Sequence, residues 1–86
     1  MTTRITAYNA RGGKVSTWTV ARPGDVFGEL IDNARRVRAI GGYAVDGVGM
    51  FTVDRTHPDV TLRAIVDGKI AAATEAYVTA VAATLS

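Results

Sequence analysis

The sequence predicts a single α+β domain over residues 1–86, with a twisted antiparallel sheet of about five strands in one layer and two helices packed on one face. The predicted order of elements is ββα-βββ-α. Three observations indicate this fold: alternating apolar and polar residues near Gly-containing turns, one central segment with helical apolar spacing, and an alanine-rich C-terminal segment. A chain of 86 residues with 48% hydrophobic and 21% charged residues suits one globular domain.

The first hairpin is predicted over residues 4–10 and 14–21, which are rich in Thr, Val, Ile and aromatic residues. A two-residue turn at Gly12-Gly13 would place Ala7 opposite Trp18 and would separate apolar from polar side chains. The apolar face facing the core would then comprise Ile5, Ala7, Trp18 and Val20. The opposite face, a candidate exposed binding face, would comprise Thr6, Tyr8, Thr17 and Thr19.

A helix follows the strand break at Arg22-Pro23-Gly24, with Asp25 as the predicted cap. Its apolar positions have the spacing of a helix that lies on a sheet, and they are Phe27, Leu30, Ile31, Ala34 and Val37. Acidic residues near its start and arginines near its end match the helix dipole. Gly41-Gly42 is predicted to end the helix, with Gly41 in the left-handed conformation.

A second hairpin is predicted around Asp46-Gly47, with one strand from residue 43 and the other over residues 48–54. The next strand, over residues 60–66, carries few polar side chains on either side, which favours a central position in the sheet.

The last element is predicted to be a helix from Lys69 to about Leu85, opened by Asp67-Gly68, because alanine favours helix. Its predicted buried stripe comprises Ile70, Ala73, Tyr77, Val81 and Leu85.

The sequence offers no catalytic, cofactor-binding or metal-binding constellation, so we expect a non-enzymatic protein without a cofactor. The chain has no cysteine and one histidine, and no nucleophile motif accompanies that histidine. The tripeptide His57-Pro58-Asp59 resembles the signature of J-domain co-chaperones, in which it joins two helices. Both flanking segments are predicted strands here, so we interpret the tripeptide as a turn.

Four aspartates lie at or near predicted turns, namely Asp46, Asp54, Asp59 and Asp67. We interpret them as turn formers, and the alternative is that they gather at one sheet edge and bind a cation.

The composition also bears on location and origin. The N-terminus lacks the apolar run of a signal peptide, no segment is long and apolar enough to span a membrane, and cysteine is absent, so we expect a cytoplasmic protein. Eight arginines against two lysines, with abundant alanine, valine and glycine, are similar in style to the coding of high-GC actinobacteria and their phages.

Binding remains as the expected function. The first hypothesis is a protein-binding or accessory module, such as an inhibitor or adaptor, that acts through a sheet edge or a helix face and forms a homodimer. The alternative is a nucleic-acid-binding regulator that uses a basic hairpin tip and a basic helix end. The residues proposed for that anion contact are Arg11, Lys14, Arg35, Arg36 and Arg38.

Overall fold

Six strands form one antiparallel sheet in the computed structural model of the chain, which describes residues 2–56, 59–66 and 68–84. The strands are β1 (Thr3–Asn9), β2 (Lys14–Val20), β3 (Ile40–Val45), β4 (Gly49–Asp54), β5 (Thr61–Val66) and β6 (Lys69–Ala72). Their spatial order is β2-β1-β3-β4-β5-β6. A short 3₁₀ helix (Pro23–Asp25) leads into α1 (Val26–Arg36), and α2 (Glu75–Thr84) follows the sheet. The predicted α+β fold is confirmed, with six strands in place of about five.

Both helices cover one face of the sheet, which we call the inner face. Tyr43, Phe51 and Ala64 point inward from neighbouring strands and are buried. Leu30 and Ala34 of α1 and Val78 of α2 belong to the same buried cluster. The buried residues that alternate along the strands and those with helical spacing in α1 therefore form one core between the sheet and the helices.

The first hairpin has the predicted faces but not the predicted register. Trp18 lies opposite Ile5, two residues away from the predicted partner Ala7. The turn is longer than Gly12-Gly13 because the Asn9 side-chain oxygen accepts hydrogen bonds from the backbone N–H groups of Arg11 and Gly13, both at 2.9 Å. A shift of two residues leaves every side chain on its original face. Trp18 is thus half-buried on the inner face, with its ring edge-to-face against the Tyr43 ring at 6.3 Å.

Helix α1 ends at Arg36, before the predicted glycine pair. Arg55, at the end of β4, donates hydrogen bonds to the carbonyl oxygens of Ala34 (2.9 Å), Val37 (3.2 Å) and Ile40 (3.0 Å). The bond to Ala34 satisfies a carbonyl that the helix end leaves free, and the three bonds together attach the end of α1 to the sheet. The predicted left-handed cap at Gly41 is therefore wrong.

Gly41 and Gly42 lie in β3, where backbone contacts account for the absence of side chains. A Cβ on Gly41 would meet the Ala10 Cα at 2.8 Å, and a Cβ on Gly42 would meet the Phe51 carbonyl oxygen at 2.9 Å. Close approach across strands thus requires these glycines. The turn from β3 to β4 contains Gly47 at φ +77° and one residue more than predicted, since Val45 pairs with Gly49.

The predicted second helix is wrong over residues 69–74. Residues 69–72 form the edge strand β6, which pairs with β5, and Gly68 has φ +76° in the turn before it. Helix α2 begins only at Glu75, where the Thr74 hydroxyl oxygen accepts a hydrogen bond from the Tyr77 N–H at 3.2 Å. A positive φ next to an antiparallel partner favours a hairpin over the helix that alanine content alone suggests.

The predicted buried stripe of this helix shifts accordingly. Val78 and Ala82 are the buried residues of α2, Tyr77 and Val81 are half-buried, and Ile70 is 67% exposed on β6. Ala73 is buried just before the helix, and Leu85 and Asp67 lie outside the described residues.

Neither helix in the described part of the chain is long and apolar enough to cross a membrane.

Candidate interaction surface

The face of the sheet that points away from the helices, which we call the outer face, exposes large apolar side chains. Met50 on β4, Ile65 on β5 and Ile70 on β6 are exposed by 62%, 59% and 67%. Their inward neighbours Phe51 and Ala64 are buried, so strand alternation explains why these three point outward. Three large apolar residues on adjacent strands form a continuous patch, unlike scattered exposed residues that need no explanation.

The patch is one end of an uncharged row that crosses all six strands, which we call the neutral band. The strand register joins Thr17 to Thr6, Thr6 to Ala44, and Ala44 to Met50. The β4–β5 ladder then brings Ile65 beside Met50, and Ile65 pairs with Ile70. From β2 to β6 the band comprises Thr17, Thr6, Ala44, Met50, Ile65 and Ile70. The side chains of the band on β2, β1 and β3 are therefore small, and those on β4, β5 and β6 are large.

A groove of about 460 Å³ lies beside the band, over the backbone of Gly42. Its walls include Tyr8 from β1 and Met50, Thr52 and Ile65 from the strands on the other side. Gly42 cannot accept a Cβ without displacing the Phe51 carbonyl oxygen. The groove stays open at this position because glycine has no side chain.

Charged residues flank the neutral band on both sides. On the side of the band nearer to the tip of the first hairpin, the Arg63 guanidinium contacts the Asp54 carboxylate through Nε at 3.0 Å and Nη2 at 2.8 Å. Hydrogen bonds from the Thr56 hydroxyl and N–H, with a smaller contribution from Arg63, lower the pKa of Asp54 to about 2. Toward the other end, Arg4 is exposed beside Thr19. An uncharged centre with a charged rim is the usual anatomy of a protein contact surface.

All four residues of the predicted exposed binding face lie on the outer face. Thr17 and Thr19 are exposed, while Thr6 and Tyr8 are half-buried. Thr6 and Thr17 form the small-residue end of the neutral band, and Tyr8 forms one wall of the groove. The register thus joins the predicted polar face to an apolar surface that the sequence analysis did not identify.

The predicted basic residues lie at one end of the molecule. Asn9 pairs with Ile40, so the first hairpin tip and the C-terminal end of α1 meet there. Arg11 is in the tip, and Lys14 pairs with Tyr8 across the hairpin, so it does not face Arg11 as the predicted turn would require. Arg38 lies in the connection from α1 to β3. The topology therefore brings the two basic clusters to the same end.

The helix-end arginines differ in how they are bound. Arg35 donates from Nε to Asp59 Oδ1 at 3.1 Å and also forms an ion pair with that carboxylate, which raises the pKa of Arg35 and lowers the pKa of Asp59. Arg36 donates to the Asp32 carbonyl oxygen at 3.4 Å. Within the described residues, Arg11 and Arg38 have neither a hydrogen bond from the side chain nor an ion pair, so their charges face solvent.

The three of these aspartates that the structure describes do not gather at one point. Asp54 and Asp59 lie at the basic end of the sheet, where each contacts an arginine, whereas Asp46 lies in the β3–β4 turn at the opposite end. The described residues contain no group of three or more acidic or histidine side chains placed to hold a metal ion. Asp67 and the predicted turn residues His57 and Pro58 lie outside the described residues.

Met50, Ile65 and Ile70 were not predicted as surface residues. The signal was present for the first two, because each is next to a strand residue that the alternating pattern predicts to be buried. The signal was absent for Ile70, which the predicted helix placed in the core.

Comparison of this chain with models of protein families, with curated proteins and with solved protein structures finds no match.

Proposed function

We propose that this protein is a non-enzymatic protein-binding module whose contact surface is the outer face of the sheet, centred on the neutral band. The observation that supports the proposal is the exposure of Met50, Ile65 and Ile70 on adjacent strands, on the face opposite both helices. Contact with a partner would remove this apolar area from water, which is the main favourable term in protein association. An 86-residue domain also has a small core, so contact with a partner would add to a thin stability margin.

The outer face is better suited to contact with a protein than the exposed surface of α2 is. The exposed residues of α2 include Ala76, Ala80 and Ala83, which offer little apolar area. The large exposed apolar side chains of the described residues are on the strands, apart from Val37 after α1. We therefore propose the sheet face that contains the predicted exposed binding face, in place of the sheet edge or the helix face that the first hypothesis named.

Affinity capture with matched variants tests this function. The purified chain, its Met50→Lys variant and its Val37→Lys variant are immobilised and exposed to a lysate of the organism that encodes the chain. Val37 is the matched control because it is an exposed aliphatic residue (37%) outside the outer face. We expect proteins retained by the original chain and by the Val37 variant to be lost from the Met50 variant. Equal retention by all three chains contradicts the proposal.

A second function, nucleic-acid binding, is favoured by the meeting of the hairpin tip and the end of α1. The Gly41 backbone contacts Ala10 next to Arg11, so Arg11 and Arg38 are on segments that pack together. Cations at one end of a domain can neutralise phosphates, and binding should then weaken steeply with salt. The neutral band would have no part in such binding because it carries no cation.

A gel shift at low salt with duplex and single-stranded probes tests this second function. Arg11→Ala combined with Arg38→Ala should abolish retention, whereas Met50→Lys should not affect it. The absence of any shift for the original chain removes nucleic-acid binding from consideration.

A further inference from the structure

The two halves of the neutral band are complementary in side-chain size. The inference drawn from this rests on the proposed function. The band has small residues at its β2 end and large residues at its β6 end, with the change of size between β3 and β4. A two-fold axis parallel to the strands, between β3 and β4, superimposes the small half of one copy on the large half of the other. We propose that the chain forms a homodimer by face-to-face packing of two outer faces about this axis.

The register fixes which residues would meet. Strand β3 would lie over β4 of the other copy, β1 over β5, and β2 over β6, because the axis divides six strands into two sets of three. Ala44 then faces Met50, Thr6 faces Ile65, and Thr17 faces Ile70. Each large side chain meets a smaller one, which is the arrangement that packs two layers without voids. Stacked sheets cross at about −30°, so the match is closest near the axis, at Ala44 and Met50.

The charges beside the band are compatible with this packing. The neighbouring row comprises, from β2 to β6, Lys14, Tyr8, Gly42, Thr52, Arg63 and Ala72. The same axis places Arg63 over Tyr8 of the other copy, Gly42 over Thr52, and Lys14 over Ala72. No two like charges of this row are opposed, and a guanidinium over a tyrosine ring is attractive.

The available area is sufficient for a weak dimer. Six strands about 4.8 Å apart and about 20 Å long give a face of roughly 500 Å² per copy, or roughly 1,000 Å² in total. That face is about a tenth of the 5406 Å² accessible surface of the chain, the proportion typical of specific interfaces. The total is at the lower limit for a specific contact, so we expect a weak dimer.

Sedimentation equilibrium over a concentration series tests the dimer with purified protein alone. The average mass should rise from the 9.1 kDa of one chain toward twice that value. Met50→Lys should raise the dissociation constant by at least about tenfold, as removal of a central interface residue does. The control Val37→Lys should leave the dissociation constant unchanged, and circular dichroism verifies that both variants fold.

The variant Ala72→Pro distinguishes an edge-to-edge dimer through β6 from the face-to-face dimer. The Ala73 N–H donates to the Leu62 carbonyl oxygen at 2.9 Å, so the N–H of its neighbour Ala72 points away from β5. Proline at position 72 therefore blocks pairing at the edge without removing a bond of the sheet. Ala72 also lies on the outer face, beside Arg63 at the edge of the sheet. We expect Ala72→Pro to abolish an edge-to-edge dimer and to change the dissociation constant of the face-to-face dimer by less than roughly threefold, as substitutions at the rim of an interface do. Loss of the dimer in Ala72→Pro overturns the proposed arrangement.

Cross-linking tests the predicted neighbours directly, because the chain has no cysteine of its own. A short bis-maleimide should join Ala44→Cys to a tagged Met50→Cys chain far more efficiently than it joins Val37→Cys to the same chain. Equal yields overturn the proposed packing. A chain that stays monomeric at every concentration overturns the dimer, whereas loss of a captured protein from Met50→Lys would still support the proposed function.

Discussion

Replacing Arg55 by methionine should destabilise the protein more than replacing any other arginine that the structure leaves exposed. The Arg55 guanidinium binds the carbonyl oxygens of Ala34, Val37 and Ile40, which belong to the end of α1, to the connection after it and to the start of β3. These three bonds join the helix layer to the sheet at one point. Methionine keeps most of the aliphatic length and removes all the donors.

The magnitude follows from the number and the kind of bonds. A hydrogen bond from a charged donor contributes about 1.5–3 kcal/mol, and water partly replaces it where the group is exposed. Because Arg55 is exposed while two of its three contacts are partly buried, we discount the sum to about 2–4 kcal/mol of unfolding free energy. Arg55→Lys keeps a charge but cannot reach three carbonyls at once, so its loss should be intermediate.

Urea unfolding followed by Trp18 fluorescence and by circular dichroism measures this loss. Trp18 lies on β2, three strands away from Arg55, so its signal reports unfolding of the whole domain. Arg38→Met is the matched control, since the Arg38 side chain has no partner within the described residues. An Arg55→Met protein within about 0.5 kcal/mol of the original, the range typical of surface substitutions, would refute the assigned role of these bonds.

Three further predictions use the same unfolding measurement. Gly42→Ala should cost about 1–3 kcal/mol, because its Cβ would meet the Phe51 carbonyl oxygen at 2.9 Å, and an unchanged stability would contradict that contact. The lowered pKa of Asp54, about 2, means that the folded state binds this proton less tightly than the unfolded state. Stability should therefore fall as the pH decreases from about 4 to about 2, and Asp54→Asn should reduce this slope. Burial raises the pKa of Tyr43 to about 12, so stability should fall as the pH rises from 10 to 12, and Tyr43→Phe should remove that loss.

The faces of the first hairpin could be predicted from the sequence, whereas its register could not. Alternation of apolar and polar residues has a period of two, so registers that differ by two residues give the same faces. The register depends on the turn, and the turn depends on the Asn9 side chain, which binds two backbone N–H groups. Asparagine at this position was the missed signal.

The role of the glycine pair in β3 could not be predicted from the sequence around it. Two glycines after a helical stripe match the usual end of a helix. Their actual requirement comes from Ala10, in the turn after β1, and Phe51, on β4, which lie close to the backbone of Gly41 and Gly42. The strand order determines these contacts between residues far apart in the sequence. The residues next to position 41 therefore do not reveal them.

The candidate surface was hidden by the assumption that apolar strand residues are buried. The pattern of β5, with few polar residues on either side, predicted a central position in the sheet. Strand β5 lies between β4 and the edge strand β6, and Ile65 on its outer side is 59% exposed. The proposed contact surface rests on the continuous patch that Ile65 forms with its neighbours on the uncovered face, and not on any one exposed residue.

One substitution decides between the strand β6 and the helix that alanine content predicts. If residues 69–72 began a helix, Ala72→Pro would remove a hydrogen bond inside it and would destabilise the protein by about 3 kcal/mol. In the edge strand the Ala72 N–H points away from β5, so the same variant should remain within about 1 kcal/mol of the original chain. Gly68 has φ +76° with no atom within 4 Å of an added Cβ, so the cost of Gly68→Ala is conformational and should be about 1–2 kcal/mol. Gly28→Ala, inside α1 and equally free of contacts, should stabilise by roughly 0.5–1 kcal/mol. A loss of about 3 kcal/mol in Ala72→Pro would restore the helix, and the neutral band would then lose Ile70 and its sixth strand.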